Sequence, residues 1–174
     1  MPLTRINITG PAVVFITTTV TKWAPIFKSD EAATEIMFQL QETANHFNVA
    51  VFGHVIMPSH VHMLLGFHDI TILSKFMKAF KRLTAIRIKN LDIGKYKKIL
   101  IINGKFNLWM RRFDDLVIHS EKQFKTKLEY IHNNPVKDGF AAESIGWKFS
   151  SARDWLLGEK GIVEIEKDYE WLNV

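Results

Sequence analysis

Hydrophobic and polar positions along the chain mark out four strands and three helices. Residues 11–21 are dense in Val, Phe, Ile and Thr and read as a first strand. Ser29 and Asp30 offer caps for a helix over residues 31–47, where Ile36, Met37, Leu40, Ala44 and Phe47 recur at helical spacing. Residues 49–57 read as a second strand, Pro58-Ser59 breaks it, and residues 60–67 read as a third. So short a link implies an antiparallel hairpin. Thr71 or Ser74 offers the cap of a second helix running to Asn90, with Leu73, Phe76, Met77, Phe80 and Leu83 as its apolar stripe. Residues 91–108 read as a loop or short hairpin, and residues 110–119 as a fourth strand. Ser120 caps a third helix over residues 121–133, which Asn134-Pro135 is expected to end, because proline pushes its predecessor out of helical geometry. Asp138-Gly139 signals a turn.

The order β-α-β-β-α-β with an added helix predicts an α+β fold: a ferredoxin-like βαββαβ antiparallel sheet. That topology alone assigns no function. The 174 residues suit a single domain spanning 1–174, with residues 141–174 as a C-terminal tail that carries Trp155, Leu156 and Leu157 and an acidic stretch over residues 164–170. An apolar fraction of 47% with 24% charged residues is that of an ordinary soluble protein. No apolar run has membrane-spanning length, and the first residues lack a signal-peptide pattern. The absence of cysteine excludes disulfides and thiolate chemistry and fits a cytoplasmic location.

Charge changes the picture more. Residues 72–112 hold twelve Lys and Arg against one acid, Asp92, whereas the remainder of the chain holds 11 basic and 17 acidic residues. A basic segment inside an otherwise acidic chain points to a polyanion-binding face, although a solvated lysine-rich helix has the same composition. Lys75, Lys78, Lys81, Arg82, Lys97, Lys98, Arg111 and Arg112 are the candidate phosphate contacts. Tyr96 in this segment is a base-stacking aromatic or a plain loop residue, and Trp109 reads as core.

Two short patterns carry chemistry. In His60-Val61-His62 the imidazoles lie two residues apart on a strand, so both project to one face while Val61 enters the other. Two neutral imidazoles on one face can bind a divalent cation if oxygen ligands complete the set; a chance pair of surface histidines has the same spacing. His54, His68, His119 and His132 read as ordinary histidines, with His119 a possible neighbour of the site. On the third helix, Phe124, Leu128 and Ile131 form the core stripe, and Tyr130 lies off it on the side of Lys127 and Asn134. Tyr130 and Asn134 are i and i+4, so Asn134 is placed to give the cation an oxygen, or simply to close the helix. Of the three tyrosines, Tyr130 is the best placed to be a nucleophile.

Taken together, three stretches resemble the single-tyrosine HUH transposases, most closely the REP-associated tyrosine transposases. They are Val55-Ile56-Met57-Pro58-Ser59-His60-Val61-His62-Met63-Leu64-Leu65, then Leu108-Trp109-Met110-Arg111-Arg112-Phe113, then Tyr130-Ile131-His132-Asn133-Asn134-Pro135-Val136-Lys137. The similarity extends over residues 14–153. It implies an HUH endonuclease fold whose third helix is catalytic. It implies Mg²⁺ or Mn²⁺ on His60, His62 and Asn134, and attack by Tyr130 on a single-stranded DNA phosphate to leave a 5′-phosphotyrosine. The implied partner is single-stranded DNA with an imperfect hairpin, bound by a monomer rather than a homodimer and, in the cell, at the nucleoid. Lys127, one turn before Tyr130, is a candidate stabiliser of phenolate or phosphate. A phenol with the ordinary pKa of about 10 is a weak nucleophile at neutral pH, so a nearby cation is chemically apt. The other class compatible with this sheet is a non-catalytic nucleic-acid-binding module, which leaves His60, His62 and Tyr130 unexplained.

Overall fold

In the computed structural model, which describes residues 8–169, four antiparallel strands form one sheet in the order β2-β3-β1-β6. They are β1 (Ala12–Thr19), β2 (Ala50–Met57), β3 (His60–Phe67) and β6 (Asp114–Ile118). β3 pairs with both β1 and β2, and β6 pairs with β1. This is the ferredoxin-like arrangement, in which the hairpin strand β3 is inserted between the two strands that α1 (Asp30–Phe47) connects. Ser29 caps α1 as expected, its side chain accepting the Ala32 N–H.

The two faces of the sheet are both covered. Val14, Ile16, Val61, Met63 and Leu65 belong to a core with Ile36 and Leu40 of α1 and Phe76 and Phe80 of α2 (Leu73–Lys89). Phe15, Phe52, Val55 and Leu64 point the other way, against Phe124 and Ile131 of α4 (Glu121–Lys137). Strand alternation therefore assigns His60 and His62 to the α4 face. A bulge between Val51 and Gly53 shifts the β2 register there. Gly53 lies directly under α4: a Cβ on it would come within 2.7 Å of Leu128 Cδ1, so only glycine lets the helix sit this close to the sheet.

Several boundaries depart from the sequence pattern, each for a physical reason. Neither Thr71 nor Ser74 caps α2. The Asp69 side chain instead accepts the Thr71 N–H and starts a 3₁₀ turn, Ile70–Ile72, that leads into the helix. Leu83 is only partly buried, and the stripe continues through Thr84, whose hydroxyl donates to the Phe80 carbonyl and accepts the Trp109 indole N–H at 2.8 Å. Residues 91–108 contain a short helix, α3 (Tyr96–Ile99), and a two-residue hairpin of β4 (Ile101–Ile102) and β5 (Lys105–Phe106). Asn103 and Gly104 turn that hairpin in left-handed geometry.

The fourth long strand begins at Asp114 rather than Met110. Met110 N–H still donates to Thr19 O, but Lys81 Nζ donates to the carbonyls of Met110 and Arg111, and the chain leaves the β1 pairing over residues 111–113 before β6 resumes it. α4 runs through Pro135 to Lys137. Proline forgoes one N–H bond, but the Asp138 N–H reaches the Asn134 carbonyl and the Phe140 N–H reaches the Pro135 carbonyl, so the last turn closes without it.

After α4, residues 147–151 run along the free edge of β2. Ile56 N–H donates to Phe149 O, Ser151 N–H donates to His54 O, and Trp147 Nε1 donates to Ile56 O. α5 (Ala152–Leu157) follows, and Trp155 Nε1 donates to Phe52 O. The C-terminal segment thus shields a strand edge that would otherwise offer unpaired amides. Among the described residues no helix is long and apolar enough to cross a membrane.

Candidate active site

The first residues of β3 and the last turns of α4 meet on one face of the sheet. The His60 and His62 rings are 4.8 Å apart, and the Tyr130 ring stands 5.2 Å from His62, edge to face. Phe15 of β1 floors the site, stacked on His62 at 5.5 Å and edge-on to Tyr130 at 5.8 Å. Tyr130 itself is 39% exposed, so its hydroxyl-bearing ring is open to solvent. Tyr169 packs on Phe124, and Tyr96 lies in α3, so among the described tyrosines Tyr130 is the one beside the histidines.

His62 is buried and directly opposite Thr17 in the β1–β3 ladder. Thr17 Oγ1 is 2.8 Å from His62 Nδ1, which fixes the ring. Nε2 is buried and has no hydrogen-bond partner. Burial, then the neighbouring His60 and Lys127, push the His62 pKa down to about 3, so the ring is neutral at pH 7. Burial also lowers the pKa of His60, opposed by the Asp138 carboxylate. A neutral imidazole with one nitrogen tied to a hydroxyl and the other left bare in a buried place is the arrangement of a metal ligand. The donor set therefore fits a divalent cation. Among the described residues no three His, Cys, Asp or Glu side chains cluster for a metal, so such an ion would rely on the two imidazoles plus oxygen ligands.

Asn134 is buried on α4, one turn beyond Tyr130 and one turn before Asp138, whose charge is felt at His60. Because the helix does not stop at Asn134, this residue is helical and not a cap. Lys127 Nζ lies 4.7 Å from the Phe15 ring centre and 5.4 Å from that of Tyr130, placing a positive charge beside the phenol.

The basic residues divide. Lys78, Lys81, Arg82 and Arg111 line an open groove of about 400 Å³ with Trp109 and Phe113. Lys81 is half-buried there, committed to the Met110 and Arg111 carbonyls, and burial lowers its pKa. Lys75 and Arg112 are exposed outside the groove lining, and Lys97 and Lys98 are exposed on α3. Trp109 is core on its indole side, as expected. His119 stands at the N-terminal end of α4, away from the histidine pair. His54 and His132 are not ordinary surface histidines. Both are buried, His132 Nε2 lies 2.9 Å from Ser151 Oγ, and burial holds their pKa values at about 3 and about 4.

Sequence reasoning missed Phe15, Thr17 and Asp138. The first two become visible only with the β1–β3 register. Asp138 becomes visible only if α4 is allowed to pass Pro135, which puts it at i+8 from Tyr130.

This assembly of sheet, histidine pair and helical tyrosine defines the class. The chain belongs to the IS200-like transposase family, whose profile, "Transposase IS200 like", matches residues 13–134. It is similar to a putative REP-associated tyrosine transposase of Haemophilus influenzae, 24% identical over 111 residues that cover 64% of this chain and 63% of that protein. It is also similar to the REP-associated tyrosine transposase of Escherichia coli, 35% identical over 48 residues, 28% of this chain and 29% of that protein. The chain thus spans less than two thirds of the length of either curated relative it matches. Among solved structures, a REP-associated tyrosine transposase bound to a REP hairpin superposes with a TM-score of 0.70 at 19% identity, covering 96% of this chain and 92% of that one. A putative transposase from Deinococcus radiodurans superposes with a TM-score of 0.50 at 23% identity, covering 76% and 97%.

Proposed function

We propose that this protein is a metal-dependent enzyme that nicks single-stranded DNA and transfers the strand through a covalent 5′-phosphotyrosine on Tyr130. The observation that carries this reading is the exposed Tyr130 ring 5.2 Å from His62, whose buried Nε2 has no partner. Tyr130 Oη attacks a backbone phosphorus, and the Oη–P bond forms as the bond from phosphorus to the 3′ oxygen breaks. The phenolic proton goes to solvent, and the departing 3′ oxygen takes one up. A later attack by a 3′ hydroxyl reverses the step and needs no ATP, because the phosphotyrosine keeps the energy of the phosphodiester.

His60, His62 and the Asn134 side-chain oxygen would hold Mg²⁺ or Mn²⁺, which supplies polarisation of the scissile phosphate when bound. Lys127 contributes a positive charge beside the phenol, placed to meet the phosphate that Tyr130 attacks. Phe15 contacts both the Tyr130 and the His62 ring and so helps set their relative orientation.

The DNA is an imperfect hairpin with single-stranded flanks. Support comes from the solved relative bound to a REP hairpin and from the basic groove. Lys78, Arg82 and Arg111 contact phosphates in the groove, Lys81 holds its wall, and Lys75, Lys97, Lys98 and Arg112 add charge around it. The chain acts as a monomeric single domain on cytoplasmic, nucleoid DNA. Incubation of end-labelled hairpin oligonucleotides with the protein and Mn²⁺ tests this: a denaturing gel should show a covalent adduct that EDTA abolishes. Free cleavage products with no adduct, or cleavage undiminished by EDTA, would refute it.

A further inference from the structure

The turn between β1 and α1 leaves an indole in solvent beside the histidine pair. Trp23 is 59% exposed, and its ring meets that of His60 at 5.8 Å and 67°. Its backbone is unusual. Lys22 and Trp23 have φ of 55° and 56°, a left-handed region that L side chains rarely adopt, here in two successive residues. Hydrogen bonds hold them there: Val20 N–H to Ser59 O at 2.8 Å, Trp23 N–H to Val20 O at 2.9 Å, and Thr21 N–H to Leu108 O at 2.8 Å. The turn is therefore tied on one side to the bend that precedes His60. On the other it is tied to Leu108 and, through the Val20–Trp109 bridge, to Trp109, both in the lining of the basic groove.

Strained backbone persists only where its surroundings over-determine it, and it gathers at functional sites. Here the strained turn, held by its backbone bonds, presents an aromatic ring against His60 and is tied to the segment that lines the groove carrying positive charge. No core packing explains the indole, because the chain leaves most of it in water.

We infer that Trp23 is a stacking platform for one nucleobase of the strand entering the Tyr130 site, the base beside the phosphate under attack. The inference rests on the single-stranded DNA reading above and adds the contact that grips the strand next to the reacting phosphate. Every base offers a π face, so the platform fixes position without reading sequence. Lys22, exposed in the same turn, supplies a cation for the adjoining phosphate.

The test compares wild type, Trp23→Ala and Trp23→Phe for equilibrium binding of single-stranded hairpin oligonucleotides by fluorescence anisotropy. Abasic sites are walked one at a time through the flanks, and Mn²⁺ binding and melting temperature are followed as controls. Trp23→Ala should weaken binding about 5- to 150-fold, the loss expected for one base–aromatic stack. Trp23→Phe should recover most of it, with the controls unchanged. One abasic position should cost wild type as much as the mutation does, and cost Trp23→Ala less than about twofold more. Affinity of Trp23→Ala within about twofold of wild type, or abasic profiles identical in the two proteins, would overturn the platform. Covalent adduct formation is scored in parallel. An adduct without coupling to Trp23 overturns the stacking and keeps the nuclease, whereas coupling without an adduct keeps the stacking and overturns the nuclease.

Discussion

Thr17→Val isolates the hydroxyl that holds His62. Valine keeps the shape of threonine on a strand and removes one oxygen, so the 2.8 Å contact to Nδ1 is lost and little else changes. Nε2 already lacks a partner, so the substitution leaves a buried imidazole with neither nitrogen bonded. Thr17 is only partly buried, which puts the cost near the low end of that for an unsatisfied buried group, about 1 kcal/mol. For a chain of this size that is a fall in Tm of about 2–4 °C. The larger effect is on the cation. Removing an outer hydrogen bond that sets a ligand's orientation and tautomer costs about 10- to 100-fold in metal affinity. Mn²⁺ titration followed by electron paramagnetic resonance measures this directly, and Thr17→Ser should restore most of the affinity. If Thr17→Val binds Mn²⁺ within about twofold of wild type while its Tm falls, the hydroxyl only stabilises the sheet and the ligand argument for His62 fails.

His62→Ala should abolish both Mn²⁺ binding and nicking, and Asn134→Ala should reduce nicking by a smaller factor, because water can replace one amide oxygen; equal losses in gel assays would contradict that ranking. Double charge removal, Lys78→Gln with Arg82→Gln, should weaken DNA binding and lower the salt-dependence slope by about 0.7 for each lost phosphate contact on a single strand. An unchanged slope would exclude the groove as the DNA face. His54 and His132 have pKa values of about 3 and about 4 in the folded chain, below the ordinary 6.5, so the unfolded chain binds more protons between those values. Their contribution is full above about pH 6.5 and is lost as pH falls, at up to about 1.4 kcal/mol per pH unit for each histidine. Urea unfolding at pH 7, 6 and 5 should show that decline, and a flat profile would mean these rings are not held neutral.

What the sequence made legible was local. The apolar runs on either side of the Pro58-Ser59 break place β2 and β3, and the two-residue spacing of His60 and His62 places them on one face, because a strand's pleat is set by adjacent residues alone. Helical spacing likewise separates Tyr130 from the core stripe of Phe124, Leu128 and Ile131. The rest depends on distant partners. Thr17 acquires its role from a residue 45 positions away. Lys81 looks like a surface cation until residues 110 and 111 fold back to take its ammonium. Pro135 looks like a terminator, yet tertiary packing on the sheet carries α4 one turn further and moves Asn134 from a cap to a buried helical position. The C-terminal segment carries no strand signal of its own, because its hydrogen bonds are dictated by the edge of β2.

The central claim is that Tyr130 is the nucleophile. Mass spectrometry of the proteolysed product formed with hairpin DNA and Mn²⁺ should find one peptide, containing Tyr130, linked to the 5′ phosphate of the cleaved strand. Tyr130→Phe should bind the same DNA and yield no adduct. An adduct that persists in Tyr130→Phe, or that maps to Tyr96 or Tyr169, would contradict the account.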